Sequence, residues 1–364
     1  MPKTVILGAA RTPFGKMGGA LAPLDAIDLG GTAIAAALER AEVAPEQVEQ
    51  VVFGQVLQAG QGQIPSRQAQ IKGGIPKEVP SETVNKVCAS GLRSAGIVDQ
   101  AVRAGDVGVA VAGGMESMSG APYLLKQARF GYRIGDAKAI DAMMYDGLRN
   151  PFSGKRMGEE ADEVGDELEI TRADMDKFAL RSHELAIQAT DEGRLPEEIV
   201  PVTISSKKGD TTVEVDEAPR RDSNLESLAK LPGLVGKEGT HTAGNSPGVN
   251  DGAGALVVVG DAVVVEEGQH LDGEGLVELE QADVLDRQAG AGQRLLGRRH
   301  RAHAHDLGLD AGEAVADQPH AHVQAELAGD VLGCQQAAGG AVVETGGVAG
   351  GDVPVRPERR LQAR

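Results

Sequence analysis

The composition of the chain breaks at Asn250. All eight Met, all five Phe and all three Tyr lie before it. None of the 114 residues after it is Ile, Lys, Met, Phe, Tyr, Asn or Ser. A core without Ile, Phe or Met is hard to pack to native density. The predicted fold is therefore confined to the residues before the break, and the tail 258–364 is expected to be disordered or ill-packed.

Other global features narrow the function class. The chain has 364 residues and a net charge of −18, from 36 basic and 54 acidic side chains. That balance argues against a nucleic-acid or acidic-membrane partner. Two Cys, Cys88 and Cys334, are too few for a disulfide framework and fit a reducing compartment. The opening "MPKTVILGAARTPFG" has an apolar run too short for a signal peptide, and nothing in the chain is long and apolar enough to span a bilayer. The expected protein is soluble and cytoplasmic.

Hydrophobic periodicity organises the first 250 residues. "KTVILGA" reads as a buried strand, and Leu24 to Ala41 carries apolar residues at helical spacing. "VEQVVFGQVL" reads as a helix end leading into a strand. "SETVNKVCASGLRSAGIVDQAVRAGD" reads as a strand ending near Val87, followed by an Ala-rich helix. "VGVAVAGGMESMS" predicts a second buried strand closing in a Gly-containing turn, and strands alternating with helices imply a layered α/β sheet. Residues 119–240 are more polar and mainly helical, as an excursion over that core. "TAGNSPGVNDGAGALVVV" returns through a Gly-rich turn to an apolar strand.

Cys88 stands where a strand gives way to a helix. There, unpaired N–H groups and the helix dipole favour a thiolate, and Ala89, Ser90 and Gly91 leave room for a substrate. The competing reading of a single Cys is a small core hydrophobe. The flanking text decides between them. "NKVCASGLRSAG" resembles the nucleophile segment of the thiolase family. So do "RTPFGKMGGAL", "AGGMESMS", "DGLRNPF", "RMGEEADEV", "EIVPV" and "TAGNSPGVNDGAGA", in the family's order over residues 1 to about 255.

The resemblance implies a thiolase-type layered α/β/α N-terminal domain with a mainly helical loop domain. Its boundaries are 1–118 for the first part, 119–240 for the loop domain and 241–257 for the return, with 258–364 a non-homologous tail. It implies an acetyl-CoA C-acetyltransferase or 3-ketoacyl-CoA thiolase of lipid metabolism. Cys88 would be the acyl-thioester nucleophile, acetyl-CoA or another short acyl-CoA the substrate, and no cofactor or metal permanently bound. Leu148, Arg220, Ser227 and Ala243 match family positions that contact CoA; read without the family, they are a surface Arg and ordinary loop residues. Arg156 stands where many members have His, and Pro247, where many have Ser, cannot supply a hydroxyl. Glu116 receives no role. The family commonly forms homo-oligomers, an expectation weakened here by damage near the sheet.

The resemblance also exposes what is missing. The family's second half supplies Asn-Glu-Ala-Phe, Gly-His-Pro and Cys-x-Gly-Gly-Gly segments, whose His and second Cys serve as activating and acid/base groups. None of the three occurs, no His precedes a Pro, and Cys334 lacks the glycine run. A catalytically dead CoA-binding remnant and an unstable chimera are therefore rival readings. His300, His303, His305, His320 and His322 have His-x-His spacing but no Asp or Glu inside the cluster, which disfavours a metal site.

The tail has another order. Every residue after Asn250 except Cys334 and Thr345 has codons that begin with G or C. That pattern is expected when a GC-rich gene is read on its opposite strand in codon register. Read this way, Gly351 back to Gly339 permits a second Thr-Ala-Gly-Asn segment of the family, and Val277 back to Gly273 permits Asn-Glu-Ala-Phe-Ala. Position 344 permits Leu or Phe but not the Val of the forward copy, so the source would be a second gene. The nucleotides encoding 260–364, reverse-complemented, are expected to translate as a thiolase segment; a stop-interrupted frame there would end the idea.

Overall fold

The computed structural model describes residues 3–236 and 239–261, and the backbone of Val277–Glu278. The strands are β1 (Thr4–Arg11), β2 (Gly15–Lys16), β3 (Gln50–Gly54), β4 (Ser81–Val84), β5 (Val109–Ser117), β6 (Tyr123–Leu124), β7 (Ile140–Asp141), β8 (Val202–Ile204), β9 (Thr211–Val213), β10 (Asn250–Gly260) and β11 (Val277–Glu278). The α-helices are α1 (Ala26–Ala41), α2 (Pro65–Lys72), α3 (Ser90–Ala104), α4 (Met157–Glu167), α5 (Arg172–Asp191), α6 (Arg194–Glu198) and α7 (Leu225–Ala229).

One mixed sheet organises the molecule, in the order β11-β1-β10-β5-β3-β4, with β2 also paired to β10. β3 runs parallel to β4 and β5, whereas β10 is antiparallel to both β1 and β5. Helices cover both faces. Leu29, Ala33, Ile34, Ala37, Leu38 and Ala41 recur at helical spacing along α1 and are buried with Val51, Phe53, Val111, Val257 and Ala69 of α2. On the other side Val98 and Val102 of α3 pack with Val52, Ala110, Ala112 and Val258. Each wholly buried Val, Leu or Ile contributes roughly 1.5–3 kcal/mol.

Three expectations shift when the backbone is seen. β4 stops at Val84, not Val87, because residues 85–89 form a turn before α3. Gly113 and Gly114 lie inside β5 and not in a turn after it. β10 begins at Asn250, so Gly252 and Gly254 are strand residues as well. Close approach explains the glycines: a Cβ on Gly113 would lie 2.2 Å from the Gly254 carbonyl oxygen and 2.6 Å from the Phe53 ring. Gly54, at the end of β3, has the same role toward α3, since a Cβ there would lie 2.4 Å from the Ser90 carbonyl carbon. The first turn of α3 thus rests directly on the β3 backbone.

The segment between β5 and β10 carries α4 to α7 and two small hairpins, β6-β7 and β8-β9. It is tied to the sheet by Arg11, which is buried at the end of β1. Its Nε donates to Glu198 at 2.9 Å, and its two terminal nitrogens donate to Asp216 at 2.8 and 2.9 Å. Burial alone would lower the guanidinium's pKa, but Asp216 and Glu198 outweigh it and raise it.

Candidate active site

Cys88 lies beyond the carboxyl end of parallel strand β4 and just before α3, where open α/β sheets present reactive groups. It is a free, exposed thiol. The turn that carries it is tightly bonded. The Asn85 Oδ1 accepts the Val87 N–H at 2.9 Å, and the Ser90 Oγ accepts the Lys86 N–H at 2.9 Å while donating to the Val87 carbonyl at 2.5 Å. Val87 has φ of 50°, a left-handed conformation that a β-branched residue adopts only under constraint. Ala89, not Cys88, caps α3, so the thiol stands one residue outside the helix end.

Glu116 lies near the C-terminal end of β5, behind this turn. Its carboxylate accepts the Val56 N–H at 2.8 Å and the Leu57 N–H at 3.2 Å. Its pKa is pushed up to about 7: burial is the main cause, the two N–H donors oppose it, and the charge of Asp251 on β10 adds to it. Asp251 has its own donors, the N–H of Ser119 at 2.9 Å and its Oγ.

The residues matched to CoA contacts fall into two places. Arg220 and Ser227 share a shallow cleft with Asp222, Ser223, Leu228 and Leu231, and both are exposed. Ala243 is exposed in a turn closed by the Asn245 N–H donating to the Thr242 carbonyl at 3.3 Å. That turn packs on the cleft wall, because a Cβ on Gly244 would lie 2.5 Å from Leu228 and 2.6 Å from Leu231. Leu148 instead packs half-buried in a cluster with Leu57, Met118 and Met143. Arg156 caps α4 beside Glu159, and Pro247 is exposed.

Two groups on α5 join these loops, and neither stood out in the sequence. Buried Asp176 pairs with the Arg172 Nε at 2.8 Å and accepts the Asn245 Nδ2 at 2.9 Å. Arg172 in turn donates to the carbonyls of Leu228 and Leu231. His183 accepts the Arg220 N–H at 3.4 Å. Burial, then the Arg220 charge, pushes its imidazole below the ordinary value, against a bond to the Gly244 backbone. Helical spacing shows that i and i+4 residues are neighbours, but not that they reach across to residues 224–245.

Among the described residues no group of three or more His, Cys, Asp or Glu is arranged to hold a metal ion. None of their helices is long and apolar enough to cross a membrane. Cys334 and the histidines at 300, 303, 305, 320 and 322 lie outside the described residues.

The family model "Thiolase, N-terminal domain" matches residues 4–262. The chain belongs to the thiolase family. It is 48% identical over 269 residues to an acetyl-CoA acetyltransferase of Cupriavidus necator, covering 74% of this chain and 68% of the relative. An Escherichia coli acetyl-CoA acetyltransferase is 45% identical over 269 residues, with the same coverages, 74% and 68%. A solved structure of the Syntrophomonas wolfei acetyl-CoA acetyltransferase superposes with a TM-score of 0.72 at 43% identity, covering 74% of this chain and 67% of that one. The chain therefore spans about two thirds of the length of these thiolases.

Two outcomes follow from the charged groups. Asp176→Ala removes a buried partner of Arg172 and Asn245 and is expected to cost roughly 2–4 kcal/mol. Amide exchange should rise at Leu231 and Asn245 and stay unchanged at Val111 in the central sheet. For Glu116, the native chain holds a proton that the unfolded chain releases above about pH 4.5. Its contribution is therefore fully favourable below that pH and is lost as pH rises through about 7, by up to about 3 kcal/mol. Urea unfolding at pH 5 and pH 8 should show this loss in the native chain and a smaller one in Glu116→Gln.

Proposed function

We propose that the described part of this chain performs the acyl-transfer half of thiolase chemistry, as an acetyl-CoA C-acetyltransferase. The observation that carries the reading is the exposed Cys88 on a strained, hydrogen-bonded turn beyond the carboxyl end of β4. The Cys88 thiolate attacks the thioester carbonyl of acetyl-CoA, the new carbon–sulfur bond forms as the old one breaks, and CoA leaves as a thiolate that takes up a proton. Arg220 and Ser227 would bind the nucleotide and pantetheine portions of CoA from their common cleft, with Ala243 on its wall, and Leu148 would contact CoA from its separate apolar cluster.

On this reading both steps are impaired, acylation for want of the activating His of the Gly-His-Pro segment and carbon–carbon bond formation for want of the acid/base Cys of the Cys-x-Gly-Gly-Gly segment. The cleft lined by Arg220 and Ser227 favours a second reading, a CoA-binding remnant without turnover. A 3-ketoacyl-CoA thiolase of fatty-acid β-oxidation is the alternative within the enzyme class. The strand order supports the domain reading, since β10 inserts between β1 and β5 and leaves 119–240 as an excursion. The return strand runs to Gly260, three residues past the boundary expected at 257, and the tail beyond it remains, on our reading, non-homologous and antisense-derived, in place of a C-terminal domain. Ile134 and Phe152 are 98% and 96% exposed, which fits a surface covered in a homo-oligomer. A cytoplasmic location fits the sequence reading.

Incubation of the full chain with acetyl-CoA should add one acetyl group to Cys88, detectable by intact mass and absent in Cys88→Ser. Thiolysis of acetoacetyl-CoA should be slower than in an intact thiolase by at least about three orders of magnitude, the usual scale of a lost acid/base partner. Acetylation without thiolysis supports the proposal, binding of CoA with neither supports the remnant, and full turnover refutes the impairment.

A further inference from the structure

Glu116 is half-buried, costs stability when ionised, and hydrogen-bonds to neither Cys88 nor the residues of the CoA cleft. Its bonds lead to the nucleophile nonetheless. The carboxylate holds the Val56 and Leu57 N–H groups, one on each oxygen. The carbonyl of the same Val56 accepts the Asn85 Nδ2 at 3.3 Å, and the Asn85 Oδ1 accepts the Val87 N–H at 2.9 Å. Val87 is the left-handed residue directly before Cys88. The Gln55 N–H donates to the Val84 carbonyl at 3.0 Å and keeps the two strand exits side by side.

We propose that Glu116 is a positioning residue for Cys88, acting through Val56 and Asn85 to hold the strained turn that presents the thiol. Two observations favour this over a purely structural role. Both acceptors are needed, because two N–H groups point at two different oxygens; an amide would set its own NH2 against one of them. Val87 also needs outside support, since a β-branched residue leaves the left-handed region when nothing holds its N–H. A half-buried carboxylate kept at a cost to stability marks a functional constraint. The charged group that acts on Glu116 is Asp251 on β10, whose Ser119 donors keep it out of competition for Val56 and Leu57.

The proposal rests on the thiolase reading of Cys88, but its test needs no turnover. Amide exchange and iodoacetamide alkylation of Cys88 are measured on the full chain from pH 5 to 9. In Glu116→Gln, exchange at Val56 or Leu57 and at Val87 should rise at least about ten-fold, with Val111 unchanged. The native alkylation profile should show an inflection near pH 7 besides that of the thiol, and Glu116→Gln should lose it. Asn85→Ala changes an exposed residue and cuts the path midway. It should raise Val87 exchange, abolish the same inflection, leave Val56 and Leu57 protected, and add nothing at Val87 to the double variant. If Glu116→Gln does not fold, the native profile and Asn85→Ala decide alone. Val87 exchange within about two-fold of native in either variant, or a native profile with one inflection, overturns the proposal. Failure of Cys88 acetylation with these results intact would count against the acyltransferase reading and not against the positioning role.

Discussion

The sheet depends on β10. This strand lies between β1 and β5 and hydrogen-bonds to both, so two pieces more than a hundred residues apart meet on a strand made after either. Its sequence, "NDGAGALVVVG", suits that position. The small residues Gly252 to Ala255 allow close approach at one end, where Phe14 and Phe53 pack, and Leu256 to Val259 fill the core at the other. Until β10 is in place, β1 and β5 have no common partner and α1 covers an incomplete surface. Pairings of this sequence separation are slow to form, which makes residues 250–260 the step on which the whole core waits.

The same strand couples fold to site. Asp251, the second residue of β10, lies opposite Ser117 and acts electrostatically on Glu116, and both carboxylates hold backbone N–H groups of loops at one end of the sheet. Arg11 does the equivalent work for the excursion, linking β1 to Glu198 and Asp216 across 187 and 205 residues. A buried guanidinium with two carboxylates would be strongly destabilising if one partner were removed. The excursion is thus fixed where charges must be matched, while its surface is held more loosely.

Legibility in the sequence followed the range of the interaction. The apolar spacing of α1, the buried strands β1 and β5, and the position of Cys88 before a helix are local patterns and could be read from a dozen residues. The end of β4 was misplaced by three residues, because Asn85 and Ser90 bond the intervening backbone into a turn that period and propensity do not encode. Gly113 and Gly114 suggested a turn, yet what they answer to is the Gly254 carbonyl and the Phe53 ring. Of the matched CoA positions, Arg220, Ser227 and Ala243 come together and Leu148 joins a different cluster, an arrangement set by long-range packing. His183 and Asp176 look like ordinary helix residues in sequence, and their partners lie across the fold.

This division also bears on what a thiolase loses when its second half is not recognisable. The turn that presents Cys88 is bonded entirely by residues 56 to 116 and carried by β3, β4 and β5. The cleft with Arg220 and Ser227 is bonded by residues 172 to 245. Among the described residues neither set takes a hydrogen bond from a residue beyond 250, and Asp251 acts on Glu116 only through its charge. The turn that presents the Cys88 thiol and the cleft lined by Arg220 and Ser227 are therefore both built within the N-terminal domain's own geometry. On the proposed reading, presentation of the thiol rests on backbone geometry around one cysteine, whereas the His that would activate it and the Cys of the acid/base step belong to segments that the sequence does not contain.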